Sequence, residues 1–204
     1  MLTSDLLAFV RSSLPAQPSR ILEIGAGRGE LAAALRAAGH EVTAIDPAAE
    51  PDSGVQAISL IDAVGKYDAA VAVVSLHHVD PLNESCAHLA TLIAPGGPLV
   101  IDEIDVERYD ERATGWWLAQ RRTLGAGHEH ADPSEMLQTL RDHIHPLAKV
   151  CAALAPYFEV GQPVRGAYLH RWELRESLRD TELELIADGL LPATGGRLVA
   201  IRRA

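Results

Sequence analysis

The chain has 204 residues, enough for one compact domain with a sizeable core, and its 48% hydrophobic content excludes a disordered chain. Its formal net charge is −10, with 18 Lys and Arg against 28 Asp and Glu, which argues against a nucleic-acid partner because phosphate binding needs a basic surface. No apolar run approaches the length of a membrane span, and Met1-Leu-Thr-Ser-Asp5 carries no basic leader region, so a soluble, cytoplasmic protein with no membrane partner is expected.

Residues 3–14 read as an amphipathic helix, with Leu6, Leu7, Val10 and Leu14 on one face and Pro15 as its stop. Next comes a short apolar run, Ile21, Leu22 and Ile24, that ends in Gly25, Gly27 and Gly29. Leu31, Ala34, Leu35 and Ala38 then follow at helical spacing. The sum is a buried strand, a tight glycine turn and a helix, the geometry that brings backbone N–H groups and a helix N-terminus to a ligand. A nicotinamide or flavin loop wants a third glycine at position 30, but Glu30 stands there and would meet a pyrophosphate with like charge. The loop instead reads E-x-G-x-G-x-G, with Glu23 inside the strand. A carboxylate there suits a ligand carrying an ammonium or a sulfonium.

Glu41–Ile45 is a second strand, closed by Asp46-Pro47. Asp46 lies 21 residues after Gly25, near the spacing a ribose-binding acid needs, and a carboxylate accepts two hydroxyl hydrogen bonds at once. Residues 55–58 are a weak third strand. Residues 67–74 are a stronger fourth, a continuous apolar run of the kind a doubly covered parallel strand shows. Ser75-Leu-His-His78 follows directly, at the carboxyl edge where open α/β sheets bind ligands. Residues 83–93 read as a helix, Pro95-Gly-Gly97 as a turn, and 98–102 as a fifth strand. Asp102 and Glu103 end that strand. One of them contacts substrate or orients a histidine, or both form a solvated strand end.

The second half reads differently. Residues 105–155 are helical in about three pieces, broken near Gly125, Pro133 and Pro146. Trp116 and Trp117 fall within them, as pocket wall or as packing. A strand is expected at 158–164, extending through 167–169, then a polar helix at 181–188 and a terminal strand at 195–202. The alternation implies βαβ units in a doubly wound sheet. Cys86 and Cys151 sit in apparently helical segments and read as buried thiols.

From Arg20 to Asp102 these motifs together resemble the class I S-adenosylmethionine-dependent methyltransferases, of the small-molecule, type 11-like kind. The resemblance implies a Rossmann-like sheet of about seven strands, the last antiparallel beside the fifth. It also implies a single methyltransferase domain over 1–204, with 105–155 as a helical lid on the substrate side. S-adenosylmethionine is the implied cofactor, S-adenosylhomocysteine its product, and a small molecule the acceptor. Residue by residue, Glu23, Gly25, Ala26 and Gly27 match the positions lining the methionine end, and Gly29 serves helix packing. Asp46 matches the ribose acid, and Pro47 braces the adenine face. Ile61 and Asp62, in Ser59-Leu-Ile-Asp62, are the adenine candidates, although the family's usual G-D-A pattern is missing. Ser75 matches the residue beside the amino or sulfonium group.

Methyl transfer from a sulfonium is an in-line displacement that mainly needs alignment. Oxygen and carbon acceptors also need a base, and the candidates are His77, His78, His145 and His170. The pairs His128-x-His130 and His143-x-His145 have a spacing that points to different faces of a helix, so no metal is expected. An alternative is a protein of this fold that binds S-adenosylmethionine but catalyses a non-methylating step, or only regulates a partner.

Overall fold

The computed structural model describes residues 2–16, 18–125 and 132–204. In chain order they form α1 (Ser4–Ser13), β1 (Arg20–Ile24), α2 (Glu30–Ala37), β2 (Glu41–Ile45), β3 (Ala69–Val73), α3 (Leu82–Leu92) and β4 (Pro98–Ile104). Then come α4 (Glu111–Thr123), α5 (Pro133–His143), α6 (Leu147–Leu154), β5 (Phe158–Val160), β6 (Val164–Gly166), α7 (Arg179–Ala187) and β7 (Gly195–Arg202). These elements group into two compact units. The first comprises Met1–Glu103, Ala148–Pro163 and Arg197–Ala204; the second comprises Ile104–Leu147 and Val164–Gly196.

The sheet has seven strands in the order β2-β1-β3-β4-β7-β5, with β6 paired to β7 off this path. β1 pairs in parallel with β2 and β3, and β3 with β4. β7 lies beside β4 and runs antiparallel to β5. The glycine turn and Asp46 come together because Ile24 and Ile45, the last residues of β1 and β2, are in register.

In the first unit α1 is capped by the Thr3 hydroxyl, which accepts from Leu6 N–H at 3.2 Å. Its buried Leu6 and Val10 pack with Ile21, Val71 and Val100 of the sheet and with Leu31 and Leu35 of α2. In the second unit Asp110 caps α4 by accepting from Ala113 N–H at 3.0 Å. Trp117 stacks on Trp172 with centroids 4.3 Å apart, Tyr109 meets Trp172 edge-on, and the Trp117 indole N–H donates to the Trp172 carbonyl at 2.7 Å. Among the described residues no helix is long and apolar enough to cross a membrane.

Two expected strands differ. Residues 55–58 form no strand; Gln56 alone bridges Ile45, giving Asp46 its backbone acceptor at 3.0 Å. The run is held between a turn with positive φ at Asp52 and Gly54 and a 3-10 turn at Leu60–Asp62, which leaves too few residues for a ladder. The expected strand at 158–164 breaks into β5 and β6 around Gly161 and Pro163. Gly161 N–H still reaches the Val199 carbonyl, but Pro163 has no N–H to continue the ladder. Its extension at 167–169 is not strand, and a 3-10 turn occupies Leu169–Arg171.

Candidate functional site

The glycine turn is tied to the end of β2 by its own backbone. Gly25 N–H and Ala26 N–H both donate to the Ile45 carbonyl, at 2.9 and 3.0 Å. Gly27 N–H donates to Asp46 Oδ2 at 2.9 Å, and Ala48 N–H donates to Asp46 Oδ1 at 2.8 Å. Asp46 is thereby oriented through both oxygens, and each keeps a second lone pair for a ligand hydroxyl. Gly25 and Gly27 have φ of +69° and +52°, the left-handed region that favours glycine.

Glu23 is 4% exposed and lies near the first turn of α2, whose Ala32 N–H favours its charged form. Gly29, the N-cap of α2, has no capping side chain. The Glu23 carboxyl oxygen Oε2 has no hydrogen-bond partner. Burial pushes the Glu23 carboxyl up to about 7, against the opposing pull of Arg36 and of the Ala32 N–H.

After β3 the chain turns sharply. Val74 has φ of +53°, a strained conformation for a β-branched residue. Ser75 then lies so close to the glycine turn that a Cβ on Gly25 would sit 2.2 Å from the Ser75 Cβ. The Ser75 hydroxyl donates to the Ile24 carbonyl at 2.8 Å. Glu103, 1% exposed at the end of β4, accepts from Ser75 N–H and Leu76 N–H on Oε1, at 2.8 and 2.7 Å. Its Oε2 is 2.6 Å from His77 Nδ1. Asp102 is also buried, with Arg197 Nε donating to it at 3.0 Å. A solvated strand end is therefore corrected: both acids are internal, and Glu103 orients a histidine.

These loops enclose a cavity of about 290 Å³ in the first unit. Of the residues singled out in the sequence, Gly25, Asp46, Pro47, Ile61, Ser75 and His78 line it. Glu23, Ala26, Asp62 and His77 do not, and Gly27 lines an adjoining, more open hollow of about 370 Å³ with Arg28, Asp46 and Glu50. The Asp62 carboxylate is engaged by the Ser59 hydroxyl at 2.6 Å. Buried His77 turns to Glu103, and its ring centroid is 4.1 Å from that of exposed His78. His145 and His170 belong to the second unit. There His170 is buried, with Nδ1 2.8 Å from Glu182 Oε2, while His145 is half-buried. The cavity walls also use Leu60 of Ser59-Leu-Ile-Asp62, and Ile58, Val79 and Asp80, which no motif flagged. Val79 and Asp80 directly follow Ser75-Leu-His-His78, and that adjacency is the signal that marks them. The His128-x-His130 pair lies outside the described residues. Among the described residues no three His, Cys, Asp or Glu side chains gather as a metal-ligand set.

The family described as "Methyltransferase domain" matches residues 2–142 of this sequence. The chain belongs to that methyltransferase family. A ubiquinone biosynthesis O-methyltransferase from Xylella fastidiosa is 33% identical over 119 residues, 48% of this chain and 47% of the relative. The methyltransferase-family chain thus spans about half the length of the curated relatives it matches. Among solved structures, an S-adenosylmethionine-dependent methyltransferase from Mesorhizobium loti aligns over 98% of both chains with TM-score 0.61 and 17% identity. A geranyl diphosphate C-methyltransferase from Streptomyces coelicolor aligns over 98% of this chain and 76% of its own, with TM-score 0.63 and 15% identity. At these identities the structures share the methyltransferase fold with this chain.

Proposed function

We propose that the chain is an S-adenosylmethionine-dependent methyltransferase acting on a small-molecule acceptor, with S-adenosylhomocysteine as the other product. The observation that carries this is the cavity at the ends of β1, β2 and β3, with the hydrogen-bonded Asp46 carboxylate on its wall. The residues present fit an adenosyl sulfonium. Ile58, Leu60, Ile61 and Val79 offer apolar walls for a planar base, and Asp46 offers carboxylate lone pairs for ribose hydroxyls. A Cβ added at Gly27 meets no protein atom within 4 Å, so the turn leaves open space there. The orphaned Glu23 oxygen is a buried acceptor beside that turn, suited to a ligand that brings positive charge.

Bound S-adenosylmethionine supplies a methyl group already activated by its sulfonium. The chain's part is to hold the donor, align the acceptor and exclude water. His78 is the candidate histidine on the cavity wall, and we assign it the acceptor's proton for an oxygen or carbon acceptor. The O-methyltransferase names of the curated relatives make small-molecule hydroxyls the first acceptors to try.

Titration calorimetry with S-adenosylmethionine and S-adenosylhomocysteine, followed by transfer from methyl-labelled cofactor to hydroxyl, amine and carbon-acid small molecules, tests the reading. Binding of both cofactors and labelled product are expected. His78→Gln should lower transfer to a hydroxyl by roughly 100-fold or more, with a smaller change in homocysteine-nucleoside affinity. No binding of either cofactor sinks the proposal. Converted acceptor beside intact cofactor would assign a non-methylating reaction instead.

A further inference from the structure

We infer that Glu103 is a positioning residue for the cofactor cavity: it sets the backbone of Ser75 and Leu76 and fixes the tautomer of His77. This rests on the reading of the cavity as the S-adenosylmethionine site.

Three observations converge on it. First, Glu103 does not line the cavity, yet it accepts from the two backbone N–H groups that follow strained Val74. A turn that starts from a disfavoured φ persists only where the surroundings over-determine it. Here the surroundings are the Glu103 carboxylate, the Ser75 hydroxyl on the Ile24 carbonyl, and the close approach of Gly25. Second, the same carboxylate meets His77 Nδ1 at 2.6 Å in a site where both side chains are buried. Glu103 is acceptor to two backbone donors already, so Oε2 accepts and His77 Nδ1 carries the N–H, which in the neutral ring leaves the lone pair on Nε2. Third, the His77 ring lies against the ring of His78, which lines the cavity. One buried carboxylate therefore governs Ser75, Leu76, His77 and, through ring contact, His78.

The second unit repeats the device. Tyr168, before Leu169-His170, has φ and ψ of −141° and −30°, against −139° and −36° for Ser75 before Leu76-His77. Glu182 Oε1 accepts from Tyr168 N–H and Leu169 N–H at 2.8 and 2.9 Å, and its Oε2 meets His170 Nδ1 at 2.8 Å. A Leu-His turn capped by a buried glutamate is thus a reproducible local solution, and the first unit uses it on a cavity wall.

The test uses the full chain with Glu103→Gln and Glu103→Ala, read by calorimetry with S-adenosylhomocysteine and by imidazole nitrogen NMR. Glutamine keeps an oxygen for the two backbone N–H groups but presents N–H to His77, which must then carry its proton on Nε2. We expect Glu103→Gln to bind within about threefold of wild type, with His77 switched from the Nδ1–H to the Nε2–H tautomer. Glu103→Ala leaves two buried N–H groups without an acceptor, and affinity should fall about tenfold or more. Wild-type affinity in a folded Glu103→Ala protein overturns the inference, as does a His77 that keeps its Nδ1–H tautomer opposite glutamine. If Glu103→Ala does not fold, the tautomer and affinity of Glu103→Gln decide alone. A wild-type protein that binds no S-adenosylhomocysteine instead overturns the assignment of the cavity.

Discussion

A carboxyl group buried with one oxygen unpaired makes the fold sensitive to pH, and the sign follows from the direction of its shift. Glu23 rises from the ordinary 4.5 to about 7 because burial disfavours its charge. Below the unfolded value both states hold the proton, and the group contributes no pH dependence. Between the two values the unfolded chain releases the proton while the folded one keeps it, so stability falls as pH rises. Above the folded value the loss is complete, on the order of 3 kcal/mol at about 1.4 kcal/mol per unit. Glu23→Gln should remove this slope, so its stability advantage over wild type in urea grows between about pH 5 and about pH 8. A difference that stays flat across that range would show that Glu23 ionises normally. Asp46 differs in its contacts: it is half-exposed, with both oxygens accepting from backbone N–H groups. In Asp46→Asn an amide NH₂ must face either Gly27 N–H or Ala48 N–H. S-adenosylhomocysteine affinity should fall by about 1.5–3 kcal/mol, or roughly 10- to 150-fold, in calorimetry. Unchanged affinity would remove Asp46 from the ribose role.

Between elements, the decisive contact is the crossing of the turn after β1 with the turn after β3. An alanine at Gly25 would drive its Cβ to 2.2 Å from Ser75 and strain φ of +69°, whereas at Gly27 the Cβ enters open space and only φ of +52° is strained. Gly25→Ala should cost about 2–4 kcal/mol of unfolding free energy, and Gly27→Ala about 1–2 kcal/mol. Equal losses would mean that the approach of Ser75 is not what demands glycine. Glycine positions of this kind were legible, since the spacing of Gly25, Gly27 and Gly29 after an apolar run is local. The parallel strands β1, β3 and β4 were legible for a related reason: burial on both faces writes a continuous apolar run. β5 and β6 were not separable, because the break depends on Pro163 lacking an N–H opposite a strand 30-odd residues away in sequence. The role of Glu182 was hidden for the same reason, and that of Glu103 stood open between contacting substrate, orienting a histidine and a solvated strand end. Glu103 reads locally as a strand-end acid and Glu182 as one carboxylate of a polar helix. Only the fold shows that each reaches back, over 27 and 13 residues, to a Leu-His turn. The His77 and His78 pair was visible as a dipeptide, but its division into one buried and one cavity-lining ring depends on where Glu103 stands.

At the scale of the molecule, charge adds something no single contact carries. The formal charge of −10 gives the protein a net long-range attraction for cations. S-adenosylmethionine and S-adenosylhomocysteine differ in the methyl group and its sulfonium charge, so they share nearly every short-range contact. The long-range field therefore acts mainly on the difference between their affinities. Salt screens that field: the Debye length shrinks from about 20 Å at about 20 mM to about 4 Å at about 500 mM. Raising KCl across this range should weaken S-adenosylmethionine about two- to fivefold more than S-adenosylhomocysteine, an effect of about 0.4–1 kcal/mol. Paired calorimetric titrations at the two salt concentrations measure it directly. The buried Glu23 carboxyl is shielded from mobile ions, so any preference for the sulfonium that survives high salt reports on groups such as Glu23. Equal salt sensitivity of the two ligands would mean that the acidic surface guides neither of them. The sulfonium would then be discriminated by the cavity and its turn alone.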